Sequence, residues 1–422
     1  MFTIFRNRNF ALLWVGQFVS TIGDLVLIVA LPFFVYHLTG SVLQTGIMFI
    51  VETLPRILLG SISGVFVDRW NRRWTMIISD VLRAGFLLLL LFVNTSSLLW
   101  LIYVVACIQA IVSQFFAPAY SAITPTLVDE QQITAANSLA AFSDALNRFI
   151  GPPLGGVLLG LFGLASVVLI DSASFLFSAL MVLLIALPPR QVAKKQVEET
   201  RAWLQLWREW LEGLALVKRS RVVLTIFIVM SFMMLAQGII NVVMVVFVQQ
   251  ILHGDASTYG LLITTQGIGT LIGSFLAGYA SKVLRPAYLI GIGLFIGAGV
   301  VTIFINIPST LVGLITLPVM GIFVIIAFIT IQTLLQQSVA DQYRGRIFGS
   351  FDTTISVALL IGLSIAGSLG DRLGSVLLLN ASCALIALGG LIALLMLADS
   401  KVSTDQSSTD QSEEAVNVLP DA

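Results

Sequence analysis

Residues 10–37 read FALLWVGQFVSTIGDLVLIVALPFFVYH, a run of about 28 positions interrupted by one acid, Asp24. At 1.5 Å per residue such a helix is about 42 Å long, more than the roughly 30 Å of hydrocarbon in a bilayer. Arg6 and Arg8 precede it, it exceeds a signal-peptide core, and no small-residue cleavage site follows, so a retained first span is expected. Working outward, comparable apolar runs lie near 43–66, 74–93, 98–122, 138–162 and 165–187. After a polar stretch they resume near 222–249, 259–280, 286–306, 310–335, 347–369 and 375–398. Backbone groups in lipid must be satisfied within their own segment, so runs of this length are helices. The expected fold class is an all-α integral membrane protein of about twelve transmembrane helices.

Composition agrees. Of 422 residues, 58% are hydrophobic and 10% charged, against about 25% charged in a soluble domain. Cys107 and Cys383 sit inside apolar runs and form neither a disulfide framework nor a metal set. His37 and His253 fall at outer span ends. No Walker A loop, zinc spacing or nucleophile elbow occurs, so the sequence carries no catalytic residues, cofactor or metal. The reading is not an enzyme and not a nucleic-acid binder.

Basic residues set the orientation. Of 22 lysines and arginines, 18 fall on one side of the alternating spans, Arg372 alone on the other, and Arg56, Arg83 and Arg148 within spans. Both termini and the long central loop are therefore expected in the cytoplasm, with the chain in the plasma membrane. The halves resemble each other at an offset near 210: Phe34-Val35 recurs as Phe247-Val248, Gly46 and Gly64 as Gly260 and Gly278, and Asp171-Ser172-Ala173-Ser174 as Asn380-Ala381-Ser382-Cys383. This predicts two pseudo-symmetric six-helix bundles, residues 1–187 and 222–398, rocking about a midplane site. Between them, 188–221 is a cytoplasmic linker in which Trp203, Trp207, Trp210, Leu211 and Leu214 recur at helical spacing, as in an amphipathic surface helix. The polar tail 399–422 is expected to be disordered.

The loop after the second run reads Gly64-Val65-Phe66-Val67-Asp68-Arg69-Trp70-Asn71-Arg72-Arg73. It resembles the signature loop of the major facilitator superfamily, with Asn71 in place of a glycine, a mild change if the position is left-handed. The resemblance implies a latch of the outward-facing state: Gly64, Asp68, Arg69, Arg72 and Arg73, with Asp68 against the start of the eleventh helix, where Asp352 lies, and Arg72 reaching an acid such as Asp129. Gly151-Pro152-Pro153-Leu154-Gly155-Gly156 is similar to the core of the drug-exporter antiporter motif, implying a helix bend at Gly151, Pro152, Gly155 and Gly156. With Glu52-x-x-Pro55-Arg56, Asp80-x-x-Arg83 and Arg344-Gly345-Arg346, the chain is most similar to the macrolide-efflux and enterobactin-exporter branch.

Ionisable residues inside spans are costly and point to function. Glu52 with Arg56 and Asp144 with Arg148 are spaced i, i+4, and Asp80 with Arg83 i, i+3, so each pair is expected to meet on its own helix. Asp80–Arg83 reads as structural, just inside the cytoplasmic face. Asp24, Asp171 and Asp352 have no base on their own helix; Asp24 lies mid-span, Asp171 near the outer end and Asp352 near the inner end. In the repeat, Asp24, Glu52 and Asp171 fall opposite Gln237, Gln266 and Asn380, which keep polarity without a titratable proton. Proton coupling is therefore assigned to the first half, chiefly Asp24, with Glu52, Arg56, Asp144 and Arg148. The cavity candidates are Gln17, Gln237, Asn241, Gln266 and Gln332, with Met230, Met233 and Met234 nearby for loose apolar recognition. The expected function is proton-exchanged export of small hydrophobic or amphipathic compounds by a monomer in contact with membrane lipid. The alternatives are a lysolipid flippase, an uptake symporter or a non-transporting membrane sensor.

Overall fold

A computed structural model describes residues 2–186, 217, 220–340 and 343–397. The linker helix expected around Trp203–Leu214 and the tail from 399 lie outside them. Among the described residues there are helices and no strand. They comprise α1 Arg8–Thr39, α2 Val42–Arg69, α3 Arg72–Leu87 and α4 Leu99–Ile123, then the continuous stretch Ile133–Leu183. After the linker come α7 Arg221–Gln250, α8 Ala256–Val283, α9 Pro286–Asn306, α10 Thr310–Gln337, α11 Arg344–Leu373 and α12 Ser375–Met396. Eleven helical stretches are long and apolar enough to cross a membrane.

The eleventh-versus-twelfth discrepancy resolves within Ile133–Leu183. Its 51 residues would make a straight helix about 77 Å long, more than twice the hydrocarbon thickness. Gly163 breaks it, with φ +73°, a left-handed value that glycine adopts without a Cβ clash. The hydroxyl of Ser166 donates to the carbonyl of Leu158 at 3.1 Å, although eight helical residues would separate them by about 12 Å. Both arms also reach α1 at one level: Gly151 and Gly155 face Leu25 and Val26, while Asp171 faces Gly23. The stretch is a helical hairpin, α5 (133–162) and α6 (164–183), and the spans number twelve.

Local sequence explains the ends. The Asn7 side chain accepts from the amides of Asn9 and Phe10 and caps α1. Gly40, with φ +63°, ends it by donating its amide to Tyr36 at 2.7 Å. Ser41 then caps α2, its hydroxyl accepting from Gln44. Asn71 caps α3 with φ −75° and accepts from the Trp74 amide at 3.2 Å. This corrects the left-handed expectation for Asn71: the residue is extended, and its value there is a side-chain oxygen that takes up an otherwise unpaired helix donor.

The described residues pack as two compact units. One holds 2–186, 244–264 and 367–372; the other holds 217, 220–243, 265–340, 343–366 and 373–397. In the first, Val26, Leu31, Leu87, Ile102, Val167 and Phe175 share one apolar core. A second cluster gathers Leu13, Met76, Phe116 and Val182. In the second unit, Phe227, Met230, Leu294, Ile331, Leu335 and Phe351 form the centre. Helices approach closely through glycines in each: Gly155 of α5 against the backbone of Val26 in the first, Gly238 of α7 against Leu359 and Gly362 of α11 in the second.

Candidate functional site

Arg72 opens α3, and Arg83 lies eleven residues on, about 16 Å deeper at helical rise. That places Arg83 near the middle of the hydrocarbon, and corrects the expectation that Asp80 and Arg83 sit just inside the cytoplasmic face. Arg83 is 5% exposed and Asp80 is fully buried. The Arg83 guanidinium ion-pairs through Nη2 with Asp24 Oδ1 of α1, and its Nη1 stands 3.9 Å from Asp80 Oδ1. Its Cζ lies 3.9 Å from the centroid of the Phe175 ring, a cation–π contact in a dry setting. From α4, Gln109 Oε1 accepts from Arg83 Nε at 3.2 Å, and Gln109 Nε2 donates to the Arg83 carbonyl at 2.8 Å.

Asp171 of α6 completes the group. It is fully buried, within electrostatic reach of Asp24, Arg83 and Asp80, and its Oδ1 accepts from Ser174 Oγ at 3.2 Å. Its Oδ2 has no hydrogen-bond partner among the described residues, and Asp80 has the Ser178 hydroxyl as its neighbouring donor. The sequence places Asp171 near the outer end; the structure sets it level with Gly23 and Asp24, because the turn at Gly163 brings α6 back alongside α1. Gly23 makes that approach feasible, since a methyl there would overlap Asp171 Oδ1 and Ser174 Oγ.

Asp24 is therefore not a lone carboxyl. The sequence reading looked for its partner on its own helix, and α3 supplies one instead. The side chain of Asp24 is 34% exposed and that of Arg83 7%, so Asp24 is the most accessible member of the group.

The other expected pairs do not form. No ion pair joins Glu52 to Arg56 or Asp144 to Arg148 among the described residues, which corrects the intrahelical reading. Arg56, Asp144 and Arg148 are exposed and Glu52 is half-buried. On an open helix face, the entropy of two long side chains offsets most of the gain from pairing.

In the loop after α2, Arg72 Nη2 stands 3.6 Å from Asp68 Oδ1, and Asp68 is 74% exposed. Arg72 Nη1 donates to the Ala122 carbonyl at 2.7 Å, near the end of α4. Arg73 donates through Nε to the Val182 carbonyl at 3.2 Å, and through Nη2 to that of Leu183, at the end of α6. Cations at helix C-termini complement the carbonyl dipoles, so these arginines tie the start of α3 to two neighbours. Gly64 and Arg69 lie in the last turns of α2, and Asp352 is exposed near the start of α11.

The backbone stays helical through Pro152 and Pro153; the break falls at Gly163. Gly156 faces the backbone of Ala256, and Gly260 faces that of Pro152, all within the first unit. Of the polar candidates, Gln237 Nε2 donates to Asn241 Oδ1 at 2.6 Å, as the i, i+4 spacing predicts. Gln17 Nε2 donates to Thr21 Oγ1 at 3.0 Å, leaving its own Oε1 unpartnered. Gln266 and Gln332 are half-buried. Met230 and Met233 belong to the apolar core of the second unit rather than to a recognition surface.

Asp371 escaped the sequence reading. Its carboxylate accepts from Val42 N at 3.0 Å, Leu43 N at 3.4 Å and Ser41 Oγ at 3.3 Å, at the N-terminus of α2 and within the first unit. A separation of 329 residues between Val42 and Asp371 leaves no local signal for this cap.

A family model described as transmembrane secretion effector matches residues 1–419. The chain belongs to that family. Transmembrane secretion effectors are major facilitator transporters, so the protein is a multi-pass membrane transporter and not an enzyme. Macrolide efflux protein A of Streptococcus pyogenes is 25% identical, with 87% of this chain and 90% of that protein covered. Enterobactin exporter EntS of Citrobacter koseri is 25% identical over 92% of each. Among solved structures, a bacterial homologue of the iron transporter ferroportin in its inward-facing state superposes with a TM-score of 0.73 at 16% identity. The match covers 92% of this chain and 98% of that one, and establishes the major facilitator fold.

Proposed function

We propose that this transmembrane secretion effector exports small hydrophobic or amphipathic compounds across the plasma membrane in exchange for protons, by alternating access. It works as a monomer in lipid with both termini in the cytoplasm, and residues 1–187 and 222–398 are the two moving bundles. The observation that carries this reading is Asp24, a part-exposed carboxyl in mid-span whose charge is balanced by a guanidinium from another helix. An ion pair of this kind at membrane depth is costly to keep and marks an ion pathway. The names of the efflux relatives support the direction, and spans that hold few basic residues suit an amphipathic cargo better than a multiply anionic one. Asp68, Arg69, Arg72 and Arg73, with Gly64 and Asp352, latch one end of the cycle.

The test is accumulation of fluorescent amphipathic dyes in cells with and without the protein, before and after the proton gradient is collapsed. Lower accumulation that returns to the control level on collapse is the expected result. A panel of compounds giving no gradient-sensitive difference would defeat the reading.

A further inference from the structure

Around one guanidinium stand three carboxyls from three helices: Asp24 of α1, Asp80 of α3 and Asp171 of α6. No other ionisable group among the described residues acts on Arg83 or Asp171, and α4 contributes only the neutral amide of Gln109. Were all three acids ionised, the group would carry two uncompensated negative charges in a region without bulk water. Buried charge of that size is not tolerated without a counter-ion. Asp171 Oδ2 lacks a partner and Asp80 has only the Ser178 hydroxyl beside it, and both side chains are fully buried. An ionised carboxylate oxygen would need a donor there, whereas a carboxylic acid brings its own hydrogen.

We propose that Asp80 and Asp171 together form the proton-holding site of this transporter, and that Arg83 is its switchable counter-ion. With Arg83 drawn to Asp24, Asp80 and Asp171 are both protonated and the group is neutral. When Asp24 is neutralised, by a proton from water or by a cationic cargo, the guanidinium turns to the pair. One carboxyl O–H bond then breaks, its proton leaves to water, and the carboxylate left behind is balanced by Arg83. Positive charge lost from the pair equals positive charge gained at Asp24, so the buried region keeps the same net charge throughout. The inference rests on the proton-exchange reading for its role in transport, but its test does not depend on transport.

Infrared spectra of the purified full-length protein in lipid nanodiscs, recorded across a pH series, report protonated carboxyl groups through their C=O band. A band that titrates in the wild type and is lost in the double variant Asp80→Asn/Asp171→Asn is expected. Asp24→Asn, at a part-exposed position, releases Arg83 to the pair. It is expected to lower the titration midpoint by about 1–3 pH units, the effect of an approaching opposite charge. Three results would each overturn the proposal: no titrating band in the wild type, a band that survives the double variant, or an unmoved midpoint in Asp24→Asn. Loss of the band at fixed pH when sodium chloride replaces choline chloride would overturn it in favour of a sodium site. Should dye export prove indifferent to the proton gradient while the band behaves as expected, the export reading fails and this site stands. The reverse pattern removes the site and leaves the export reading.

Discussion

At matching positions of the repeat, the first unit holds an ionic cluster and the second holds paired amides. Asp24 ion-pairs with Arg83 and Asp171 lies within electrostatic reach of it, whereas Gln237 bonds to Asn241 at 2.6 Å and Asn380 to Asn306 at 2.9 Å. The offset that relates the halves carries Asp80 and Arg83 onto the apolar stretch 290–293, so the second half has no base for an acid to meet. Amides satisfy one another without net charge and tolerate dry surroundings at any pH. Acids around a guanidinium do so only at a fixed proton count. Under the proton site proposed above, the first half responds to protons while the second stays constant.

The largest expected break of this contrast is Arg83→Gln. Removing this base leaves Asp24 and the buried Asp80 and Asp171 without a counter-ion, a loss of about 3–5 kcal/mol by analogy with other broken buried pairs. Thermal unfolding in detergent should show it, with partial recovery at low pH as the acids protonate. Next comes Gly23→Ala, whose methyl would overlap Asp171 Oδ1 and Ser174 Oγ. Overpacking of this kind costs about 1–3 kcal/mol. A second-unit control, Gly269→Ala, would overlap the Pro318 carbonyl and destabilise similarly. Only the first-unit variant should move the carboxyl titration, and a matching shift in Gly269→Ala would blur the division between the halves. Asn380→Ala should cost about 1 kcal/mol or less, the net worth of a neutral hydrogen bond, with no change in the pH dependence of stability.

The smallest effect concerns Asp255, outside the spans at the start of α8. Burial works against its charge, but the Ser257 hydroxyl and the amide and hydroxyl of Thr258 outweigh it and hold the carboxyl below its usual range. A depressed folded-state value means that this cap stabilises fully above the unfolded-state range near pH 4. The contribution then fades as pH falls through the folded value. Asp255→Ala should cost about 1 kcal/mol at neutral pH, and the gap to wild type in thermal unfolding should close in strong acid.

Much of this was legible in the chain alone, and the failures share one cause. Span number, the Gln237–Asn241 pair and the superfamily loop all follow from residues near each other in sequence. The pairing of the acids does not. Glu52 and Arg56 have ideal spacing and do not pair, whereas Asp24 pairs with a residue 59 positions away. Depth was recoverable for Arg83 by counting from Arg72 at 1.5 Å per residue. For Asp171 it was not, since its level depends on the turn at Gly163.

Hydropathy and charge segregation by themselves determined that the chain threads a bilayer twelve times and which ends face the same side, because transfer of each segment into lipid is decided segment by segment. Only the tertiary structure decided which acids share a counter-ion. Electrostatic energy in a dry interior depends on distances of a few ångströms between side chains on different helices, and those distances are set by how α1, α3 and α6 pack, down to the missing Cβ at Gly23.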